Sequence, residues 1–115
     1  SIEDIAAMKV AAIGGRGSKK DFFDLYEILT RTNYSVKQLV DDVYEKFGES
    51  RNYSYMAMAL NYFADADGEH LPETFVKYSW GDIKLAFLDI QREFVDEISN
   101  RESRNTCDIN EDIEL

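Results

Sequence analysis

The sequence predicts an all-α protein, a helical bundle of about five helices followed by a polar, acidic C-terminal tail. Two features carry that expectation. Ser1 with Asp4, Ser18 with Asp21, Ser35 with Gln38 and Ser79 with Asp82 each place an acid or glutamine three residues after a serine, the pattern of a capping box at a helix start. The apolar residues between these caps recur at three and four, the helical period, and no stretch alternates as a strand would. At 115 residues the chain is long enough to bury a real core without disulfides or a structural metal.

Taken in order, the first helix is expected from about Ile2 to Ile13, stopping at Gly14-Gly15. The second runs from about Lys19 to Arg31, with Phe22, Leu25, Tyr26 and Leu29 at helical spacing. The third, about Val36 to Phe47, shows the same period through Leu39, Val40, Val43 and Tyr44, and stops at Gly48. A fourth is expected from about Ser54 to Phe63. A long last helix from about Gly81 to Asn100 carries Ile83, Phe87, Ile90, Phe94 and Ile98. Short links between them favour antiparallel packing. Residues 1–100 thus form the bundle domain, and residues 101–115, rich in acids, form a tail that frays or docks on a partner. The start at Ser1 rather than methionine, directly at a cap, leads us to expect a domain cut from a longer protein.

Net charge is −10 but uneven. Residues 1–40 hold six basic and five acidic side chains, residues 41–115 seven and eighteen. Between residues 9 and 20 stand Lys9, Arg16, Lys19 and Lys20 with no acid among them, the one stretch suited to face an anion, with a merely solvated basic loop as the alternative. Cys107 has no partner for a disulfide, which fits a reducing compartment. No apolar run is long enough for a membrane span, so a cytoplasmic location and no membrane partner are expected.

On a helical wheel Ile2, Ile5, Ala6, Ala12 and Ile13 share one face of the first helix, and Lys9 falls near its centre. An inward lysine needs a carboxylate, because an unpaired buried charge costs several kcal/mol. Asp21 and Asp24 lie on one flank of the second helix and offer it. Asp21 has a second duty in the Ser18 capping box, whereas Asp24 has none, which makes Asp24 the sharper functional candidate. Spacing alone leaves a structural ion pair and a functional lysine both open.

Other motifs point to structure. Gly14-Gly15-Arg16-Gly17 follows a helix and lacks the Gly-Lys-Ser/Thr ending of a phosphate loop, so it reads as a helix stop. Asp65-Ala-Asp67 is expected in a turn, and its spacing to Gly68 and Val76 does not match a calcium loop. His70 has no second histidine or cysteine nearby and reads as a surface residue, and no metal site is predicted. Phe22, Phe23, Tyr26, Tyr44, Phe47, Phe87 and Phe94 sit at core spacing, and Tyr78 with Trp80 is placed to staple the last helix.

The segment "DIAAMKVAAIGGRGSKKDFFDLYEIL", residues 4–29, resembles the abortive-infection nucleotidyltransferase toxins, the AbiEii/AbiGii family, in Lys9, Arg16 and Asp21-Phe-Phe-Asp24. "LNYFADADGEHLPE" and "SWGDIK" extend the likeness over most of residues 1–90. The resemblance implies the helical C-terminal portion of a polymerase β-like nucleotidyltransferase, the toxin half of a two-gene system with an antitoxin. Members transfer a nucleotide from a nucleoside triphosphate, some onto tRNA. By position, Lys9 would face the triphosphate, Asp24 with Asp21 would orient it or help activate the acceptor, and Arg16 would support phosphate or hold the loop; Lys19 and Lys20 are candidate phosphate-binding residues through the basic stretch they share with Lys9 and Arg16. Family members hold magnesium with an Asp-x-Asp on a strand after a Gly-Ser pair. These residues carry no such motif, so the resemblance implies an N-terminal nucleotidyltransferase domain that completes the site, and inactivity of these 115 residues alone. Three functions remain open: part of a nucleotidyltransferase toxin, an antitoxin-docking module, and a structural domain in which Lys9 and Asp24 form only an ion pair.

Overall fold

The computed structural model describes residues 1–49, 51–70 and 78–114, with side chains to residue 104. It is all-α, with no strand among the described residues. Six helices follow in order: α1 (Ile2–Arg16), α2 (Lys19–Arg31), α3 (Val36–Phe47), α4 (Tyr53–Ala59), the single turn α5 (Ala64–Asp67), and α6 (Trp80–Glu114).

The caps act where the sequence places them. Ser18 and Ser35 accept from the amides of Asp21 and Gln38, whose side chains accept in return from the cap amides, so α2 and α3 begin and end as expected. The Ser1 and Ser79 hydroxyls accept from the amides of Asp4 and Asp82 at 3.3 and 3.0 Å. Gly48 closes α3 at φ 87°, a left-handed value that favours glycine, with its amide donating to the Tyr44 carbonyl.

Three helices differ from expectation at their boundaries. First, α1 does not stop at Gly14-Gly15 but continues to Arg16. Two glycines cost a helix about 0.5–1 kcal/mol each relative to alanine, and packing of Val10 and Ile13 against the neighbouring helices outweighs that. Second, the fourth helix begins one residue early, capped by Asn52, and ends at Ala59. There the amides of Leu60, Asn61 and Tyr62 bond three residues back, a tighter turn that buries Leu60. Asp65 and Asp67 lie in the one-turn helix α5 rather than a turn. Third, α6 passes Asn100 without a glycine or proline to stop it and runs to Glu114. Arg101, assigned by sequence to the tail, is anchored instead: its guanidinium meets Asp41 at 3.0 Å and Glu49 at 3.2 Å and lies over the Tyr44 ring.

The core joins Ala6, Ala7, Val10 and Ile13 of α1 to Phe22, Phe23 and Leu25 of α2, Leu39, Val40 and Val43 of α3, and Ile83, Phe87, Phe94 and Ile98 of α6. Each large side chain taken fully from water contributes about 1.5–3 kcal/mol. Phe22 is the hub of an aromatic cluster, with ring centroids 5.0 Å from Phe87, 5.4 Å from Phe63 and 5.6 Å from Trp80. Trp80 also stacks on Phe23 at 6.1 Å, and Tyr78 meets Tyr26 edge-on, so the staple at the start of α6 forms. α1 is packed against α2, α3 and α4 at once, which leaves it one open side.

That open side corrects the wheel. Ile2 and Ile5 are 44% and 49% exposed, Ala12 is exposed, and the buried face of α1 is the one through Ala6, Ala7, Val10 and Ile13, about a quarter turn away. Ranking faces by hydrophobicity favours isoleucine over alanine. The neighbours select the alanine face because small side chains let three helices approach one.

Candidate functional site

Lys9 therefore lies at the edge of the core, beside the groove where α1 meets α2. Its Nζ is 2.9 Å from Asp24 Oδ2 and 3.1 Å from Asp21 Oδ1. All three side chains are mostly shielded, at 21% exposure for Lys9, 18% for Asp21 and 25% for Asp24. Asp21 and Asp24 are three apart on α2 and so project from one side of it.

The two carboxylates are held differently. Asp21 Oδ2 accepts from the Ser18 hydroxyl at 3.0 Å and the Ser18 amide at 3.3 Å, while Oδ1 takes the lysine. One residue both caps α2 and fixes Lys9. Asp24 Oδ2 is shared between Lys9 and Lys20, whose Nζ is 3.1 Å away one turn earlier on the same helix.

The protonation energetics follow from this geometry. Burial works to lower the Lys9 pKa, and the hydrogen bonds to Asp24 and then Asp21, with their charges, outweigh it, so the ammonium is held above its ordinary value. For Asp24, burial works to raise the pKa, and the bonds from Lys9 and Lys20 outweigh that and hold the carboxyl below its usual range. The cluster is thus an oriented, fully charged ammonium across neutral pH. It is suited to stabilising negative charge and unsuited to acting as a base.

Of the sequence-predicted residues, the structure brings together Lys9, Asp21, Asp24 and Lys20. Lys19 does not join them. Its amide and Nζ are tied to the Glu69 side chain and carbonyl at 2.7 and 2.6 Å, and its ammonium lies 5.5 Å from the centre of the Trp80 ring. Arg16 ends α1, exposed, with no ion pair among the described residues. It is seven residues from Lys9, two turns along the same side, so Ile2, Ile5, Lys9, Ala12 and Arg16 form the open stripe of α1. Met8, 59% exposed, borders it.

Sequence reasoning missed the role of Asp67, which accepts from Trp80 Nε1 at 2.8 Å and pairs with Lys84 at 3.1 Å. These bonds, Trp80 first, hold its carboxyl below the ordinary value and tie α5 to α6. Nothing local in Asp-Ala-Asp signals a partner thirteen residues on. His70 is exposed. Among the described residues no group of three or more His, Cys, Asp or Glu converges as a metal site would, and no helix is long and apolar enough to cross a membrane.

Comparison with known proteins extends these observations. The profile of the nucleotidyl transferase AbiEii toxin of Type IV toxin-antitoxin systems matches residues 1–105. An uncharacterized protein of Aquifex aeolicus (strain VF5), aq_aa25, is 34% identical over 94 residues, which are 82% of this chain and 44% of that protein. The chain thus spans less than half the length of this relative. No solved structure matches.

Proposed function

The chain belongs to the AbiEii nucleotidyl transferase toxin family, and from that premise we propose that it is the helical part of a toxin that transfers a nucleotide, with Lys9 as the cation facing the triphosphate. The observation that carries this is the setting of Lys9: an ammonium braced by two carboxylates at 2.9 and 3.1 Å, in the middle of a helix face that is apolar yet open. A purely structural ion pair has no need of exposed Ile2, Ile5 and Met8 around it. A site completed by a second domain does, because that domain would cover the apolar stripe and exclude water from the lysine.

In this reading Asp21 and Asp24 fix the ammonium before substrate arrives, so little reorganisation is needed as charge develops on the transferring phosphoryl group. Arg16, two turns along the same stripe and unpaired among the described residues, is placed to meet further phosphate oxygens. Lys20 neutralises the second charge of the carboxylate pair and leaves Lys9 attracted to an incoming anion. The carboxylates are poorly suited to magnesium, which demands near-octahedral oxygen ligands, because both oxygens of Asp21 and Oδ2 of Asp24 are engaged by Lys9, Lys20 and Ser18. Magnesium chemistry is therefore assigned to the N-terminal nucleotidyltransferase domain. An antitoxin protein and a tRNA acceptor are the partners this reading names, and the cytoplasm its compartment.

The test is transfer of a labelled nucleotide by the protein that joins this chain to that domain. Lys9→Ala is expected to lower the rate by about 10²–10³-fold, the usual effect of removing one preorganised charge stabiliser, with the helices still folded by circular dichroism. The second reading, a non-catalytic antitoxin-docking module with a structural Lys9–Asp24 pair, draws on the same open apolar stripe. It requires a Lys9→Met, Asp24→Leu double variant to stay active, and such an active double variant would end the catalytic reading.

A further inference from the structure

The start of α2 is held at three successive residues by three different devices. A side chain has little room at Gly17: a Cβ there would stand 3.0 Å from the Phe22 ring and 3.2 Å from the Ile13 Cα, so the chain enters α2 pressed against the core. Ser18 exchanges hydrogen bonds with Asp21. Lys19 is fixed from fifty residues away, its amide donating to Glu69 Oε1 at 2.7 Å and its Nζ to the Glu69 carbonyl at 2.6 Å.

The Lys19 amide is the first of the helix and finds no carbonyl within it. The serine box takes up the amides of Ser18 and Asp21, and Glu69 takes up the one between them. A carboxylate in that place also meets the positive end of the helix dipole. Glu69 is in turn presented by a braced segment. Two residues earlier Asp67 accepts from Trp80 Nε1 and from Lys84, and Trp80 packs on Phe22 and Phe23 of α2. The segment is thus tied to α6 through Asp67 and to α2 through Glu69.

The consequence for Lys9 follows from where its two partners stand. Asp21 is the third residue of α2, inside the turn that frays first when its amides lose their acceptors, whereas Asp24 lies nearly a turn deeper. Order in that first turn decides whether Lys9 meets two carboxylates or one. The Glu69 bond is exposed and adds little to stability, so what it contributes is geometry. We propose that Glu69 is a positioning residue for Lys9: by accepting from the Lys19 amide it holds the first turn of α2 and keeps Asp21 within reach of the ammonium. The proposal rests on the transfer reading only where transfer is measured.

The experiment follows the Lys9 ammonium in the chain by NMR titration of a ¹³Cε label, its signal identified by its loss in Lys9→Met. In Glu69→Ala the Lys9 pKa should fall towards the ordinary lysine value, since one of the two carboxylates that raise it is released. The melting temperature should drop by no more than about 4–8 °C, the loss of one exposed hydrogen bond. Glu69→Gln keeps an acceptor for the amide and should restore the parent titration. Asp67→Ala loosens the same segment at α6 instead, and should lower the melting temperature at least as much while leaving Lys9 unmoved. A Lys9 titration unchanged in Glu69→Ala, or shifted equally by Asp67→Ala, would overturn the proposal. So would a Glu69→Gln titration like that of Glu69→Ala, which would put the effect down to charge at a distance. In the protein joined to the N-terminal domain, Glu69→Ala should lower kcat about tenfold, less than Lys9→Ala does, with the KM for triphosphate within about twofold. A moved titration with unchanged transfer would uphold the positioning and count against Lys9 as the cation on the triphosphate, so the two readings fail separately.

Discussion

The two flanks of α1 differ in how their charges are arranged. Towards α2, Lys9 meets Asp21 and Asp24 and every charge is answered across the groove. Towards α4, Gly14 and Gly15 present bare backbone below Tyr55 and Tyr62, and Arg51 stands without a carboxylate partner among the described residues. One helix thus carries a preorganised cation on one side and an unfilled surface on the other. A shielded charge must be answered where it lies, whereas a glycine is tolerated where neither packing nor φ requires it.

The glycines give the largest test of that contrast. Gly17→Ala should cost about 1–3 kcal/mol, because the new Cβ meets the Ile13 backbone and the fully buried Phe22, neither of which can yield cheaply. Urea unfolding would read it, and an unchanged midpoint would remove the packing explanation that sets Gly17 apart. On the charged flank, Asp24→Asn should cost about 1–2 kcal/mol, less than the breaking of a fully buried pair, since Asp21 still holds the lysine and the groove keeps some contact with water. A cycle with Lys9→Met should show the two losses coupled rather than additive.

Gly15→Ala should act in the opposite direction to Gly17→Ala, adding about 0.5–1 kcal/mol of stability. A loss instead would mean that the chain itself requires this glycine. The smallest effect is the pH dependence of the charged flank. The Asp24 pKa is depressed in the fold, so its contribution is present above the ordinary carboxylate range and lost as pH falls through the folded value. The Lys9 pKa is raised, so its contribution is present below the ordinary lysine value and lost as pH rises through the folded one. Stability from the pair should be level from about pH 5 to 9, and Asp24→Asn should flatten the acid limb. An acid limb identical in the variant would show that Asp24 does not supply it.

The sequence by itself determined the all-α class and the serine caps, and with them the limits of α2 and α3. Ser18 with Asp21 and Ser35 with Gln38 bond within three residues, so the limits of α2 and α3 needed no knowledge of neighbours. The apolar periods of α3 and α6 pointed to the faces those helices bury, because a single wide stripe leaves one choice. Lys9 and its two aspartates were legible because an unanswered charge is costly wherever it lies. Tertiary structure alone decided which face of α1 is covered, since Ala6, Ala7 and Val10 compete with Ile2, Ile5 and Ala12 and only the approach of α2, α3 and α4 settles the contest. It alone carried α1 through Gly14 and Gly15, drew Lys19 to Glu69, joined Arg101 to Asp41 and Glu49, and opened the groove beneath Tyr55. Hydrogen bonds between near neighbours are written in local sequence, whereas the burial of a face depends on residues dozens of positions away.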